Sequence, residues 1–174
     1  MKNLFLLLVI LNLLGCSDDD KHDVTPQQAM YVDSQVYLAF KNAQGQDLLA
    51  PSTVNHFKEE DIRLYYVRDG VKREVYDPLM DMPRNLRIED YKDGYILRVA
   101  TDEPPYNVLK AAGEAVTGEA LTLLKLNEST TDTIRTAWER RPGSFINTKL
   151  WYNGELRWDR SSESIKPLIV IMKE

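Results

Sequence analysis

Two tryptophans near the end of the chain, Trp151 and Trp158, are the side chains best suited to meeting a ligand. They flank Asn153-Gly154, the clearest two-residue hairpin turn in the sequence. With a type I′ turn there, Trp151 faces Leu156 and Lys149 faces Trp158, so these four side chains share one face of the ribbon. Ile146, Leu150, Tyr152, Glu155 and Arg157 share the other. One face must be core. If it is the tryptophan face, each ring fills about 150–250 Å² of interior. If it is the other, Trp151 and Trp158 form an exposed aromatic platform on which sugar rings can stack.

Catalytic chemistry has less to work with. Of the two histidines, His22 precedes the folded region, leaving His56. His56 sits beside Asn55 and Phe57, with no Gly-x-Ser-x-Gly elbow and no second histidine to share a metal. A general base needs an oriented nucleophile, and none is evident, so His56 reads as a loop residue. The 27 acidic residues could supply a carboxylate pair for glycoside hydrolysis, but such a pair needs a separation of about 5–10 Å in a cleft. A small carboxylate-dependent hydrolase is therefore the alternative function, and a non-catalytic binding module is the expected one. No cofactor and no metal site is expected.

The lone cysteine, Cys16, belongs to a different chemistry. Lys2 supplies a positive start, Leu4 to Leu14 an apolar run interrupted only by Asn12, and Gly15 a small residue before the cysteine. The run is too short to span a membrane, which takes about 20 apolar residues. Leu13-Leu14-Gly15-Cys16 resembles the lipobox of a bacterial lipoprotein precursor. That resemblance implies cleavage after Gly15, lipidation of Cys16 and attachment to the membrane through more than one acyl chain. A single chain holds only marginally, at about 0.8 kcal/mol per buried CH₂. With its sulfur so used, no disulfide or thiolate chemistry remains.

Asp18, Asp19 and Asp20 follow the cysteine, without the glycine and distal glutamate of a calcium loop. The run resembles the acidic export signal of some Gram-negative lipoproteins, which implies an outer-membrane protein displayed on the cell surface, with the periplasmic face as the alternative. The Gly45 to Pro51 segment, Gly-Gln-Asp-Leu-Leu-Ala-Pro, is similar to one near the start of many small surface lipoproteins of those bacteria. Asp132-Thr133-Ile134 resembles a bacterial O-glycosylation acceptor but lies within an expected strand, and Asn127-Glu128-Ser129 matches an N-glycosylation sequon by pattern only.

Removal of residues 1–15 takes one lysine and leaves 21 basic against 27 acidic side chains, a net charge of −6. Nucleic acid is thereby an unsuitable partner, and anionic lipid would repel the body, so membrane attachment rests on the lipid. The expected partners are the membrane and a glycan or protein ligand. Residues 16–29 read as the lipidated cysteine and an acidic tether with Val24 its one strongly apolar side chain. Residues 30–174 are then one domain, long enough to enclose a core without disulfides.

The elements that must position any site are strands. Val32, Val36, Leu38 and Phe40 alternate with more polar neighbours, Asp69-Gly70 and Asn153-Gly154 mark hairpins, and Tyr91-Lys92-Asp93-Gly94 is a further turn of that kind. Further strands are expected at Leu121–Leu126, Thr131–Trp138 and Phe145–Tyr152, and a last one at Ile165–Met172 with burial on both faces. Val108, Leu109, Ala112, Ala115 and Val116 fall at helical spacing after Pro105, so at most one short helix is expected. Nine or ten strands spaced in this way make an all-β, two-sheet antiparallel β-sandwich, with a β-barrel as the alternative.

Overall fold

Val36, Leu38 and Phe40 point the same way from one strand and are fully buried, as a period of two requires of a sheet with one face on a core. The computed structural model describes residues 31–103 and 115–174. Its strands are β1 (Tyr31–Asp33), β2 (Gln35–Lys41), β3 (Arg63–Arg68), β4 (Val71–Glu74), β5 (Leu86–Tyr91) and β6 (Gly94–Ala100). After the undescribed segment come β7 (Val116–Lys125), β8 (Thr131–Arg141), β9 (Ser144–Tyr152), β10 (Glu155–Asp159) and β11 (Leu168–Met172).

These strands form a sandwich of two sheets with no closed barrel. The larger has the order β1-β9-β8-β7-β3-β4, with β10 also paired to β9, and the smaller has the order β11-β2-β6-β5. Most neighbours are antiparallel, but β1 runs parallel to β9 and β11 parallel to β2. Both sheets are therefore mixed, a correction to the wholly antiparallel expectation. The two exceptions join strands remote in sequence, which no hairpin connects. The alternation expected from Val32 to Phe40 is also not one strand: it breaks at Ser34, placing β1 in one sheet and β2 in the other.

The core lies between the sheets. Leu38, Phe40, Leu97, Val99 and Ile169 from the small sheet meet Leu64, Leu124, Ile134, Leu150 and Tyr152 from the large one. Polar ties bridge the layers as well. The Tyr66 hydroxyl donates to the Ala100 carbonyl at 3.0 Å, and the Asn147 amide donates to Thr101 Oγ1 at 3.0 Å. The turns follow their sequence signals: Asp69 and Gly70 have φ of 53° and 75°, and Asn153 and Gly154 have φ of 48° and 84°.

Two expectations change. β11 is an edge strand, with Val170 46% and Met172 59% exposed, so its apolar run is not covered on both faces. Val116 opens β7 rather than closing a helix, while Val108, Leu109 and Ala112 lie outside the described residues.

Candidate functional site

The hairpin of β9 and β10 divides the two tryptophans. Glu155 pairs with Tyr152 and Leu156 with Trp151, as a two-residue loop dictates, but the ladder then slips and Trp158 pairs with Leu150. Arg157 is the extra residue of this bulge. An inserted residue reverses the side-chain alternation beyond it, so Trp158 joins the face of Leu150 and Tyr152. Trp158 is 3% exposed, its indole N–H donates to the Glu163 carbonyl at 2.8 Å, and it belongs to the core. The shared face expected for Lys149, Trp151, Leu156 and Trp158 thus does not form.

Trp151 stays on the outer face of the large sheet. Cross-strand pairing extends a row from Leu156 through Trp151, Arg135, Leu121 and Val67 to Lys72. Leu156 is 49% exposed, and Trp151, Leu121 and Val67 are half-buried. The Arg135 guanidinium carbon lies 3.8 Å from the centre of the Trp151 ring, and Glu119 holds that guanidinium from the side at 3.1 Å. The adjoining row runs Thr133, Leu123, Tyr65 and Glu74, with Lys72 Nζ 3.8 Å from the Tyr65 ring centre. Past Tyr65 the surface opens into a cleft of about 650 Å³ whose lining includes Arg63, Lys125, Asp61 and Glu128. The outer face therefore combines half-exposed rings with flanking charges of both signs, a suitable lining for a polyhydroxylated ligand with apolar ring faces.

The buried carboxylates have other work. Asp132, 4% exposed, accepts the Tyr152 hydroxyl at 2.5 Å, the Asn153 amide at 2.9 Å and the Lys173 ammonium at 2.7 Å. Burial pushes its carboxyl up, but the bonds from Asn153, Lys173 and Tyr152 more than offset this and hold it below the usual carboxylate range. Burial and the same carboxylate push the Tyr152 hydroxyl up. Asp102 is buried and gripped by the Arg68 guanidinium through both oxygens. Each buried acid is thus matched by a cation. Burial pushes Tyr66, between the sheets, up to about 12.

His56 is tied to its own turn by a 3.0 Å hydrogen bond to the Thr53 carbonyl, which places its proton on Nδ1. Asn127 Oδ1 accepts the backbone N–H groups of Ser129 and Thr130, so the sequon-like triplet is a side-chain-closed turn. Asp132-Thr133-Ile134 is ordinary strand within β8. Among the described residues no group of three or more His, Cys, Asp or Glu could hold a metal ion. Cys16, Asp18, Asp19 and Asp20 lie outside the described residues.

Sequence reasoning missed the part played by Asp47. Its Oδ1 accepts the Leu49 N–H at 2.8 Å and its Oδ2 the Tyr95 N–H at 2.9 Å, stitching the Gly45–Pro51 segment to β6. Gly94 makes this possible, because a Cβ there would stand 2.8 Å from Asp47 Oδ2. A free aspartate between Gly45 and Pro51 was a visible signal of a side-chain-closed turn. No protein-family model, curated protein or solved structure matches the chain.

Proposed function

We propose that this chain is a non-catalytic lipoprotein of the outer membrane, anchored through lipid on Cys16 and displayed at the cell surface. Its sandwich presents the outer face of the seven-stranded sheet to a ligand, and a glycan is the class that face fits. The observation that carries this reading is the row Leu156, Trp151, Arg135, Leu121 and Val67. The solvent face of an antiparallel sheet is normally polar, yet four of these five side chains are apolar, and the fifth sits over the Trp151 ring. A ring already held by a guanidinium costs little ordering entropy when a sugar stacks beside it. The saturation of Asp132 and Asp102 by Lys173 and Arg68 also favours binding over hydrolysis.

The test uses full-length protein extracted in detergent. Fatty-acid labelling should mark the wild type and vanish in Cys16→Ala, and wild-type protein should be retarded on a gel cast with surface polysaccharide. Trp151→Ala should lose that retardation while its melting temperature stays close to wild type. Label persisting in Cys16→Ala would overturn the anchor, and retardation unchanged by Trp151→Ala would overturn the ligand surface.

A further inference from the structure

The sandwich has four sheet edges, and three carry the devices that keep an edge from pairing with another chain. β4 reads Val-Lys-Arg-Glu and is exposed throughout. β5 carries Arg87, Glu89 and Asp90, and the Ile88 N–H is capped by the Glu59 carboxylate at 2.6 Å. The far edge of the large sheet is split between β1, three residues long, and β10, which is bulged.

β11 has none of these. It reads Leu-Ile-Val-Ile-Met, with no charge, proline or bulge within it. The Lys173 N–H donates to the Lys41 carbonyl at 2.8 Å, so in this parallel ladder the odd-numbered residues turn their backbone groups towards β2. Leu168, Val170 and Met172 turn theirs away, and no partner exists for them among the described residues. Val170 and Met172 are also the most exposed side chains of the strand.

We infer that β11 is a dimerisation edge, occupied by β11 of a second copy running antiparallel about a two-fold axis at Val170. The strand is self-complementary about that residue. Val170 meets its own equivalent, Ile169 meets Ile171 of the second copy, and Leu168 meets Met172, so every row pairs side chains of similar size and character. Outward N–H and C=O groups at Leu168, Val170 and Met172 supply about six backbone hydrogen bonds across the axis, and the two small sheets become one continuous sheet. This inference is independent of the ligand surface, which lies on the other sheet.

Cysteine cross-linking of the full-length chain tests it, because Cys16 is the only native cysteine and wild type serves as the control. Val170 equivalents would form a hydrogen-bonded antiparallel pair with Cα atoms about 5.5 Å apart. That lies inside the roughly 4.4–6.8 Å a disulfide spans. Met172 equivalents, four residues out of register, would be about 14 Å apart along the strand. Mild oxidation of Val170→Cys should therefore give a band at twice the monomer mass, and Met172→Cys, at a more exposed position, should stay monomeric. Equal cross-linking of both variants would mean random collision and would overturn the inference. So would the absence of a doubled band, or capture of a different polypeptide by Val170→Cys.

Discussion

Lys173→Met removes the only cation among the described residues that reaches Asp132, and its effect can be worked from the surroundings of that carboxylate. Asp132 is almost fully buried, and without Lys173 it keeps two donors, the Tyr152 hydroxyl and the Asn153 amide. Removing one partner of a buried ion pair costs about 3–5 kcal/mol. Lys173 itself is partly open to water, which places this case near the lower end, about 3 kcal/mol. For a domain of this length that lowers the melting temperature by about 6–12 °C.

The pH dependence is more diagnostic than the size. In the wild type the folded-state carboxyl of Asp132 titrates below its unfolded value, so its contribution is full above about pH 4 and fades as pH falls through the folded value. In Lys173→Met, burial is no longer opposed by a cation and the folded value rises. The variant then binds a proton more readily when folded, and its deficit narrows on acidification. Urea unfolding at pH 7 and pH 4 reads both quantities. Adding Asp132→Asn to Lys173→Met should recover most of the loss at pH 7, because no buried charge remains unpaired. A deficit under about 1 kcal/mol, or one of the same size at both pH values, would refute the assignment of Asp132 as a buried charge that depends on Lys173.

Trp158→Ala should cost about 3–5 kcal/mol in chemical denaturation because it empties a core site, whereas Trp151→Ala on the outer face should cost about 1 kcal/mol. Equal losses would mean that the bulge at Arg157 does not separate the two rings. Gly118→Ala should destabilise by about 1–3 kcal/mol, since its Cβ would stand 2.4 Å from the Trp138 ring. Combined with Trp138→Leu it should cost less than the sum of the two single changes, as calorimetry of the four proteins would show; strict additivity would place the ring elsewhere.

The strands and their turns were legible because their causes are local. Asp69-Gly70 and Asn153-Gly154 adopt positive φ where those residues tolerate it, and Val36, Leu38 and Phe40 alternate because one face of β2 meets the core. What escaped depends on distant chain. Nothing near Tyr31 marks a parallel partner at Ser144, and nothing near Leu168 marks one at Tyr37. The apolar run of β11 looked like a central strand because sequence does not say whether a second neighbour exists. The candidate site was half legible for a related reason. The hairpin at Asn153-Gly154 fixed Trp151 opposite Leu156, but one extra residue at Arg157 sent Trp158 inward. The polar clasp on Asp132 was invisible because Lys173 is remote from it in sequence.

The break at Ser34 has a mechanical meaning. The chain passes from β1 at the rim of the large sheet to β2 in the middle of the small one, with one residue between. A pull arriving from the N-terminal side enters at Tyr31 and first meets three residues of parallel β1, which can peel from β9 in sequence. It then meets β2, bonded to β6 from Gln35 to Leu38 and to β11 from Tyr37 to Lys41, where yielding requires many bonds to shear together. The short strand acts as a sacrificial strap and the central one as the anchor bolt. Tension from a membrane tether would thus slacken the rim of the sandwich while its interior, and the outer face that carries Trp151, kept their shape.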